Sequence, residues 1–256
     1  MIPGIQGRWE YMRPTVDALS KHFRVTTFSL RGDARSIDDY AQQVVDALDE
    51  RGIRDAVICG VSFGGLVALR LAATHPARTR ALVLASTPAP GFSLKPRHRL
   101  YARLPWIFGP LFLVESPWRL RKEIAAAFPQ VRDRWAFRLA ALRTVLTAPI
   151  SLPQMAKRAL LMSDVDSTAD CARISTPTLV VTGESALDYV VPADGSLKYT
   201  ELIAGARPIV LARTGHIGTI TQPKAFADIV HAFVVNADFN PQSAILNPQY
   251  KNPDAA

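Results

Sequence analysis

The sequence predicts an α/β fold in which a mostly parallel sheet is flanked by helices, and three observations predict it. Short apolar segments rich in β-branched residues recur along the chain, at 24–30, 56–59, 81–86, 178–182 and 208–212. Segments with apolar residues at helical spacing separate them, at 8–22, 37–51, 65–74, 195–203 and 223–235. Strands that alternate with helices in this way form βαβ units with parallel strands. The length of 256 residues suffices for one such domain with a sizeable core.

The elements of the first half follow from local patterns. Residues 8–22 have apolar side chains at helical spacing with Pro14 near the start, and residues 24–30 are rich in β-formers. Ser36 is a typical N-cap for the helix at 37–51, which Gly52 ends. Residues 56–59 form a short buried strand, and a tight turn over 60–64 leads into the helix at 65–74. His75 and a following proline stop that helix before the strand at 81–86.

The alternation stops at Pro88 and resumes near residue 173. The segment between is helical in pattern and contains no predicted strand, so we expect residues 88–172 to form a helical cap. Residues 1–87 and 173–236 then form the α/β core. Residues 237–256 are rich in Asn, Pro, Gln and Ala without periodicity, which predicts a disordered tail.

Composition limits the class of protein. The chain has no charged and apolar leader at its start, and its longest apolar stretch, 104–114, is too short to span a membrane. Its two cysteines, Cys59 and Cys171, show no metal-type or redox-type spacing. We therefore expect a cytoplasmic protein with no metal and no cofactor. The oligomeric state is left open.

The sequence Gly60-Val61-Ser62-Phe63-Gly64 is a G-x-S-x-G motif between a predicted strand and a predicted helix. A sharp turn from strand to helix leaves little room for side chains, so glycines must flank the serine. The turn exposes the serine hydroxyl at a helix N-terminus, where developing negative charge is favoured. Ser62 is therefore the predicted nucleophile, and a Gly-Ser turn without chemistry is the alternative.

Serine needs a base, and the chain has five histidines. His216 lies in a loop after the predicted strand at 208–212, and ligands meet parallel sheets at such carboxyl ends. The alternative for His216 is an exposed loop residue. Of the other four, His22 and His75 end helices, His98 lies in a basic run, and His231 lies within the last helix.

The base needs a carboxylate to orient it. Asp188 follows the strand at 178–182 in a loop, and Glu184 and Asp194 compete with it in the same region. The chain order Ser62, Asp188, His216 is the order expected for a nucleophile elbow on an α/β sheet.

These motifs together resemble the α/β-hydrolase fold family, in the branch with proline iminopeptidases, cofactor-free haloperoxidases and many esterases. The resemblance covers residues 3–235 and rests on Pro3–Gly7, the serine elbow, residues 188–192 and Gly215-His216. It implies a triad of Ser62, Asp188 and His216. It also implies an oxyanion hole formed by the backbone N–H groups of Phe63 and of Ile5 or Gln6.

The chain departs from the family pattern at three places. Pro3-Gly4 stands where the family usually has His-Gly, although only a backbone donor is needed there. Asp188 lies five residues after Gly183 rather than three, and this spacing leaves Glu184 as an alternative to Asp188 for the acid of the triad. Only Met1 and Ile2 precede the oxyanion turn, so the sheet has an apparently truncated N-terminal edge. We expect a stable gene product to have residues before Met1, because an uncovered sheet edge threatens stability.

The resemblance implies an enzyme that hydrolyses a small-molecule ester or related acyl substrate through an acyl-enzyme. A perhydrolase or a hydrolase of carbon–carbon bonds would use the same triad. A ligand receptor without catalysis on the same fold is the alternative from a different class.

The net charge of +8 is concentrated in the predicted cap, which has thirteen Lys and Arg against six Asp and Glu, or +7. Three interpretations remain open: a solvated basic surface, attraction of an anionic substrate, or weak contact with an anionic membrane. The membrane hypothesis places the contact at residues 95–122, where seven basic side chains flank Trp106, Phe108 and Phe112. Nucleic acid is not expected, because no binding motif accompanies the charge.

Overall fold

A four-stranded parallel sheet lies at the centre of the computed structural model, which describes residues 1–239. The strands are adjacent in chain order: β1 (Ala56–Val61), β2 (Thr79–Ala85), β3 (Thr178–Thr182) and β4 (Arg207–Val210). Val61 pairs with Ala85, and Ala85 pairs with Val181. Because the register keeps the strand ends level, the loops after β1, β3 and β4 meet at one edge of the sheet. The predicted fold class is therefore confirmed.

Helices cover both faces of this sheet. The helices of the α/β part are α1 (Arg13–Leu19), α2 (Ile37–Asp49), α3 (Phe63–Thr74), α10 (Ala193–Leu202), α11 (Gly218–Thr221) and α12 (Pro223–Phe239). Leu82 and Leu84 belong to the same apolar cluster as α2 and α3, whereas Val83 packs with residues of α1 and α12. Both faces of β2 are therefore buried, which explains why this strand is almost continuously apolar, whereas β4 at the end of the sheet is only partly covered.

Local chemistry sets the helix starts. The Ser36 hydroxyl accepts from the Asp39 amide at 3.1 Å, and the Asp39 carboxylate accepts from the Ser36 amide at 3.0 Å. This reciprocal pair satisfies two of the unpaired N–H groups at the start of α2. The helix after the serine turn begins at Phe63, two residues earlier than predicted, because Ser62, with a positive φ, is the single residue between β1 and α3. The short helix α11 was not predicted.

The predicted strand at 24–30 is wrong. This segment forms no ladder with the sheet and is held by isolated contacts: the Met1 ammonium donates to the Thr26 carbonyl at 2.6 Å, and the Leu30 amide donates to the Gly7 carbonyl at 2.7 Å. Its neighbour on the sheet side is the stretch Met1–Ile2, which itself makes one parallel bridge, between Ile2 and Gly60. Two residues are too few to carry a ladder on both sides.

The N-terminal edge consequently contains a gap beside β1. A cavity of about 450 Å³ lies there, lined by Met1, Phe28, Val57 and their neighbours. It contains neither Ser62 nor His216.

Between β2 and β3 the chain forms six helices: α4 (Pro96–Arg103), α5 (Pro105–Arg119), α6 (Arg121–Ala127), α7 (Val131–Thr147), α8 (Leu152–Asp164) and α9 (Thr168–Cys171). We call residues 88–172 the cap segment. Over residues 1–239, no helix is both long and apolar enough to cross a membrane. Helix α12 continues to Phe239, three residues into the predicted tail, and the rest of that tail lies outside the described residues.

Candidate active site

The turn from β1 to α3 holds Ser62 in a strained backbone conformation. Its φ and ψ are 53° and −120°, a region that non-glycine residues rarely occupy. The turn is possible because glycines let the backbone segments approach. A Cβ at Gly60 would lie 2.2 Å from the Gly64 carbonyl oxygen, and one at Gly64 would lie 2.4 Å from the Ile2 carbonyl oxygen. The Ser62 amide donates to the Ala85 carbonyl at 2.8 Å, which fixes the turn above the sheet edge.

His216 reaches Ser62 from the loop after β4. Its Nε2 lies 3.2 Å from the Ser62 Oγ, within hydrogen-bond reach. A second close backbone approach brings the two loops together. A Cβ at Gly183 would lie 2.4 Å from the Gly215 carbonyl oxygen, and one at Gly215 would lie 2.5 Å from the Leu187 carbonyl oxygen. The loop after β3 therefore presses against the loop that contains the imidazole.

Asp188 lies on the far side of this imidazole. Its Oδ2 is 3.5 Å from the His216 Nδ1, and its side chain is only 2% exposed. Its Oδ1 accepts hydrogen bonds from the amides of Val190 and Val191, each at 2.9 Å. The separation of 3.5 Å is longer than a well-formed hydrogen bond, and contacts of this kind tighten when substrate binds. The two amides fix the carboxylate so that one oxygen stays directed at the ring.

The two competing carboxylates are directed elsewhere. Glu184 lies at the end of β3, and its Oε1 accepts from the Arg213 amide at 2.6 Å. Asp194 accepts from the Ser185 hydroxyl at 2.7 Å, near the start of α10. Of the three acids predicted from the sequence, the structure brings only Asp188 to His216.

Three of the other histidines lie away from Ser62. His22 stacks on His231 with ring centroids 4.4 Å apart, and His75 contacts Thr74 at the end of α3. His98, assigned from the sequence to a basic run, instead lines the cavity above Ser62. Its Nε2 lies 3.0 Å from the Arg119 guanidinium. Burial lowers the pKa of His98, and the positive charges of Arg119, Lys95 and Arg97 lower it further.

The predicted oxyanion donors flank Ser62. Phe63 is the first residue of α3, so its N–H has no acceptor within the helix and points out of the helix N-terminus. Ile5 lies in a turn closed by a hydrogen bond of 2.9 Å from the Gly7 amide to the Gly4 carbonyl. A Cβ at Gly4 would lie 3.5 Å from the Ser62 Cβ, so this turn runs directly beside the serine.

A buried arginine of the cap segment holds that turn in place. Arg158 of α8 is 3% exposed, and its guanidinium donates to the carbonyls of Ile5 at 3.3 Å, Gln6 at 3.4 Å and Leu30 at 3.3 Å. It also donates to the Tyr40 hydroxyl at 3.2 Å, and the Tyr40 ring packs edge-on against the Phe63 ring. Arg158 thus connects the segments that supply both predicted oxyanion donors.

A buried glutamate of the cap segment reaches the histidine loop. Glu123 of α6 is fully buried, and its Oε1 accepts from the Ile217 amide at 2.9 Å. Its Oε2 has no hydrogen-bond partner among residues 1–239. Burial raises the pKa of Glu123 to about 7. The amides of Gly215 and Ile217 and the charge of His216 oppose that rise, whereas the charge of Asp188 adds to it.

Sequence reasoning missed the roles of Arg158 and Glu123. Both were counted only as charges of the predicted cap, and nothing local distinguishes them. Glu123 lies in Arg-Lys-Glu-Ile-Ala-Ala-Ala, which looks like an exposed helix start. Their burial depends on how the cap segment packs on the core, which a single sequence does not contain.

The cavity above Ser62 is small and apolar. It has a volume of about 140 Å³ and contains Ser62, His216 and Ile5 at its base. Aliphatic and aromatic side chains of the cap segment form most of its wall, among them Phe92, Leu94, Tyr101, Phe112, Leu152 and Met155. Over the described residues, no group of three or more His, Cys, Asp and Glu side chains is arranged to hold a metal ion.

Comparison with known proteins identifies the family. The family model described as the alpha/beta hydrolase family matches residues 1–229. The chain is 26% identical to a 3-oxoadipate enol-lactonase of Acinetobacter baylyi, covering 89% of this chain and 84% of that protein. It is 27% identical to a 2-hydroxymuconate semialdehyde hydrolase of a Pseudomonas species, covering 92% and 84%.

The solved structures agree with this result. The enol-lactonase from Burkholderia xenovorans superposes with a TM-score of 0.72 at 25% identity, covering 91% of this chain and 88% of that one. An esterase from Exiguobacterium antarcticum has a TM-score of 0.73 at 17% identity, covering 92% and 90%, which shows the shared fold alone. The match over residues 1–229 and the resemblance seen in the motifs agree, and the chain belongs to the alpha/beta hydrolase family.

Proposed function

We propose that the protein is a serine hydrolase that cleaves a small-molecule carboxylic ester or lactone through an acyl-enzyme. The observation that carries the proposal is the 3.2 Å contact between the Ser62 Oγ and the His216 Nε2 at the base of an apolar cavity. A nucleophile, a base in contact with it and a carboxylate behind the base form the arrangement that activates serine. The relatives named as enol-lactonases support an acyl substrate.

The reaction proceeds in two half-reactions. In the first, His216 takes the Ser62 proton while the Oγ bonds to the substrate carbonyl carbon. The tetrahedral intermediate collapses, the carbon–oxygen bond to the alcohol breaks, and His216 returns the proton to the leaving oxygen. In the second, His216 takes a proton from water, whose oxygen attacks the acyl carbon. Collapse releases the acid and restores the Ser62 hydroxyl.

Asp188 and the backbone amides stabilise the charges that develop in each half-reaction. The carboxylate faces the His216 Nδ1, so it favours the imidazolium that forms on proton transfer. The N–H groups of Phe63 and Ile5 donate to the oxyanion, and each such donor contributes about 3 kcal/mol in comparable sites. Because Arg158 holds the carbonyl of Ile5, it acts as a positioning residue for that donor.

Other activities of the same site remain candidates. Perhydrolysis and hydrolysis of carbon–carbon bonds use the same groups, and one relative is named a 2-hydroxymuconate semialdehyde hydrolase. Ester or lactone cleavage is favoured because one relative and one solved structure of similar fold are named enol-lactonases. A receptor without catalysis would have no need of a serine held at a φ of 53°. Turnover of a short-chain 4-nitrophenyl ester separates an enzyme from a receptor.

We predict that Ser62→Ala lowers kcat for a short-chain ester by at least about 10³-fold, because no other group forms the acyl-enzyme. The thermal unfolding midpoint should stay close to that of the wild type. A fluorophosphonate probe followed by peptide mass spectrometry should label Ser62 alone in the wild-type protein. Labelling of another residue, or activity that survives the substitution, would contradict the assignment of the nucleophile.

We predict that Asp188→Asn lowers kcat by about 10²- to 10⁴-fold, because the amide no longer stabilises the imidazolium. Glu184→Gln serves as the matched control and should cost less than about tenfold, since its carboxylate contacts the Arg213 amide rather than the ring. Steady-state kinetics on one ester compares the two variants. A larger loss in Glu184→Gln would assign the acid to Glu184.

We predict that Glu123→Gln changes how stability depends on pH. The pKa of Glu123 is about 7 in the folded chain against an ordinary value of 4.5, so unfolding releases a proton between those two values. Stability gained from the neutral carboxyl is complete below about 4.5, declines as the pH rises, and is gone above about 7. Glutamine retains an acceptor for Ile217 but cannot ionise.

The measurement is the free energy of unfolding by denaturant at pH 5 and pH 8. From pH 5 to pH 8, the free energy of unfolding of the wild type should fall on the order of 1 to 3 kcal/mol more than that of Glu123→Gln. Glu201→Gln, which removes an exposed carboxylate of α10, is the control and should follow the wild type. Equal pH dependence in the wild type and Glu123→Gln would show that Glu123 does not change its protonation in this range.

A further inference from the structure

A second cavity adjoins the catalytic one. It has a volume of about 430 Å³ and shares His98, Arg119 and Tyr189 with the cavity that contains Ser62. Tyr189 directly follows Asp188 in the chain, so this second cavity begins at the catalytic loop. We call it the vestibule. A molecule that reaches from Ser62 past Tyr189 extends into it.

Positive charge surrounds the vestibule. Five cationic side chains line it, and no acidic side chain does: Lys95, Arg97, Arg119, Arg121 and Lys122. One carboxylate lies nearby, since Glu115 pairs with both Arg97 and Arg119. A single acid therefore offsets one of the five charges. A cleft lined by one sign of charge concentrates ligands of the opposite sign.

Aromatic side chains hold two of the cations in place. The Arg121 guanidinium lies 3.7 Å from the centroid of the Trp118 ring, and the Lys122 ammonium donates to the Tyr189 hydroxyl at 2.8 Å. Stacked or hydrogen-bonded head groups lose less freedom when an anion binds them. Burial lowers the pKa of His98, and the positive charges of Arg119, Lys95 and Arg97 around the vestibule lower it further.

We propose that the vestibule binds an anionic group of the substrate, a carboxylate, phosphate or sulfonate, while the apolar part of the substrate occupies the cavity above Ser62. The inference rests on the proposed hydrolytic function and names its substrate class: an amphipathic ester with an anion beyond the scissile bond. The size of the vestibule fits such a group together with bound water.

The test compares two soluble esters, phenyl butanoate and 4-sulfophenyl butanoate, which differ by one sulfonate. A general loss of catalysis lowers both kcat/KM values by the same factor, so their ratio reports only the effect of the sulfonate. We expect the double variant R121Q/K122Q to lower the ratio of anionic to neutral ester by about five- to thirtyfold, because two cations are lost. R132Q/R143Q on α7 removes the same charge outside the vestibule and should leave the ratio unchanged. Added salt should lower the ratio of the wild type.

The outcomes separate the two levels of the proposal. If the wild type hydrolyses both esters and the ratio is the same in all variants, the vestibule assignment is wrong and the hydrolytic function stands. If the wild type hydrolyses neither ester better than Ser62→Ala, the hydrolytic function itself is wrong. Since both esters are used as dissolved monomers, a lipid surface contributes to neither result.

An independent observation concerns the outer surface of the cap segment. Helix α7 has 17 residues, and none of its side chains is buried. One stripe of large apolar side chains is 54% to 73% exposed, and its members are Val131, Trp135, Leu139, Leu142 and Leu146. At 100° per residue these five positions fall within one face about 80° wide. An exposed apolar face of this size marks an interaction surface.

The other side of α7 faces the protein. The Phe137 ring, on the opposite side of the helix, packs at 5.2 Å against the Phe128 ring. Arg134 donates from that region to the carbonyls of Phe128 and Pro129, each at 2.7 Å. The helix is therefore attached through Phe137, and its larger apolar face is directed away from the chain.

Arginines border the apolar stripe on both sides. By helical position, Arg132 and Arg143 lie along one border and Arg138 along the other, while Asp133 lies on the opposite side. An apolar face with a tryptophan and basic borders is typical of helices that lie in the surface of an anionic membrane. A second copy would bring rows of arginine together, which costs free energy.

We propose that α7 binds the surface of anionic lipid membranes through this stripe. The membrane contact predicted from the sequence at residues 95–122 stays a prediction, and the present proposal concerns residues 131–146. Exposed Trp106 and Trp118 of α5 are further apolar side chains of the same cap segment.

The test is co-sedimentation of the whole protein with phosphatidylcholine vesicles, with and without about one third phosphatidylglycerol. We expect binding to the anionic vesicles that falls with added salt, and L139Q/L146Q should weaken it at least about tenfold. Val235→Ser on α12, another exposed apolar side chain, is the matched control and should bind like the wild type.

Two results would overturn the lipid proposal. One is the absence of binding to anionic vesicles at low ionic strength. The other is a wild type that sediments as a dimer and an L139Q/L146Q variant that sediments as a monomer, with no vesicle binding by either. The second result would assign the stripe to contact between copies of the chain.

Discussion

The site depends on one steric constraint, which is that four stretches of backbone meet at the carboxyl edge of the sheet with no room for a Cβ between them. Gly60 and Gly64 let the serine turn lie against the chain at Ile2 and Pro3, and Gly183 and Gly215 let the loops after β3 and β4 touch. Without these approaches the Ser62 hydroxyl, the imidazole and the carboxylate would sit too far apart to interact. The strain at Ser62 persists because the surrounding hydrogen bonds fix the turn.

The cap segment completes the site as well as covering it. Arg158 and Glu123 are ionisable and almost fully buried, and they contact opposite sides of the site: Arg158 the turn containing Ile5, and Glu123 the loop containing His216. Burying a charge costs free energy unless several dipoles or an opposite charge compensate. Backbone carbonyls compensate the charge of Arg158. Burial instead raises the pKa of Glu123, so this carboxyl avoids part of the cost by binding a proton. Movement of the cap would therefore disturb the oxyanion turn and the base together.

The parts predicted from the sequence are those with a local cause. The G-x-S-x-G turn, the loop position of His216 and the N-cap at Ser36 each depend on residues within a few positions, and the structure has each of them. The strand at 24–30 failed because a strand needs a partner, and its neighbour Met1–Ile2 is too short. Asp188 could not be separated from Glu184 by spacing, since the choice depends on which carboxylate the Gly183 and Gly215 contact directs toward the ring.

The distribution of charge is another property that the sequence predicts only in part. The sequence assigns +7 of the net +8 to the cap segment but not to any surface of it. The fold places two groups of these basic side chains in different surroundings: one lines a concave vestibule beside Tyr189, and the other borders a convex apolar stripe on α7. A concave group suits an anion on a small molecule, and a convex group beside apolar side chains suits an extended anionic surface.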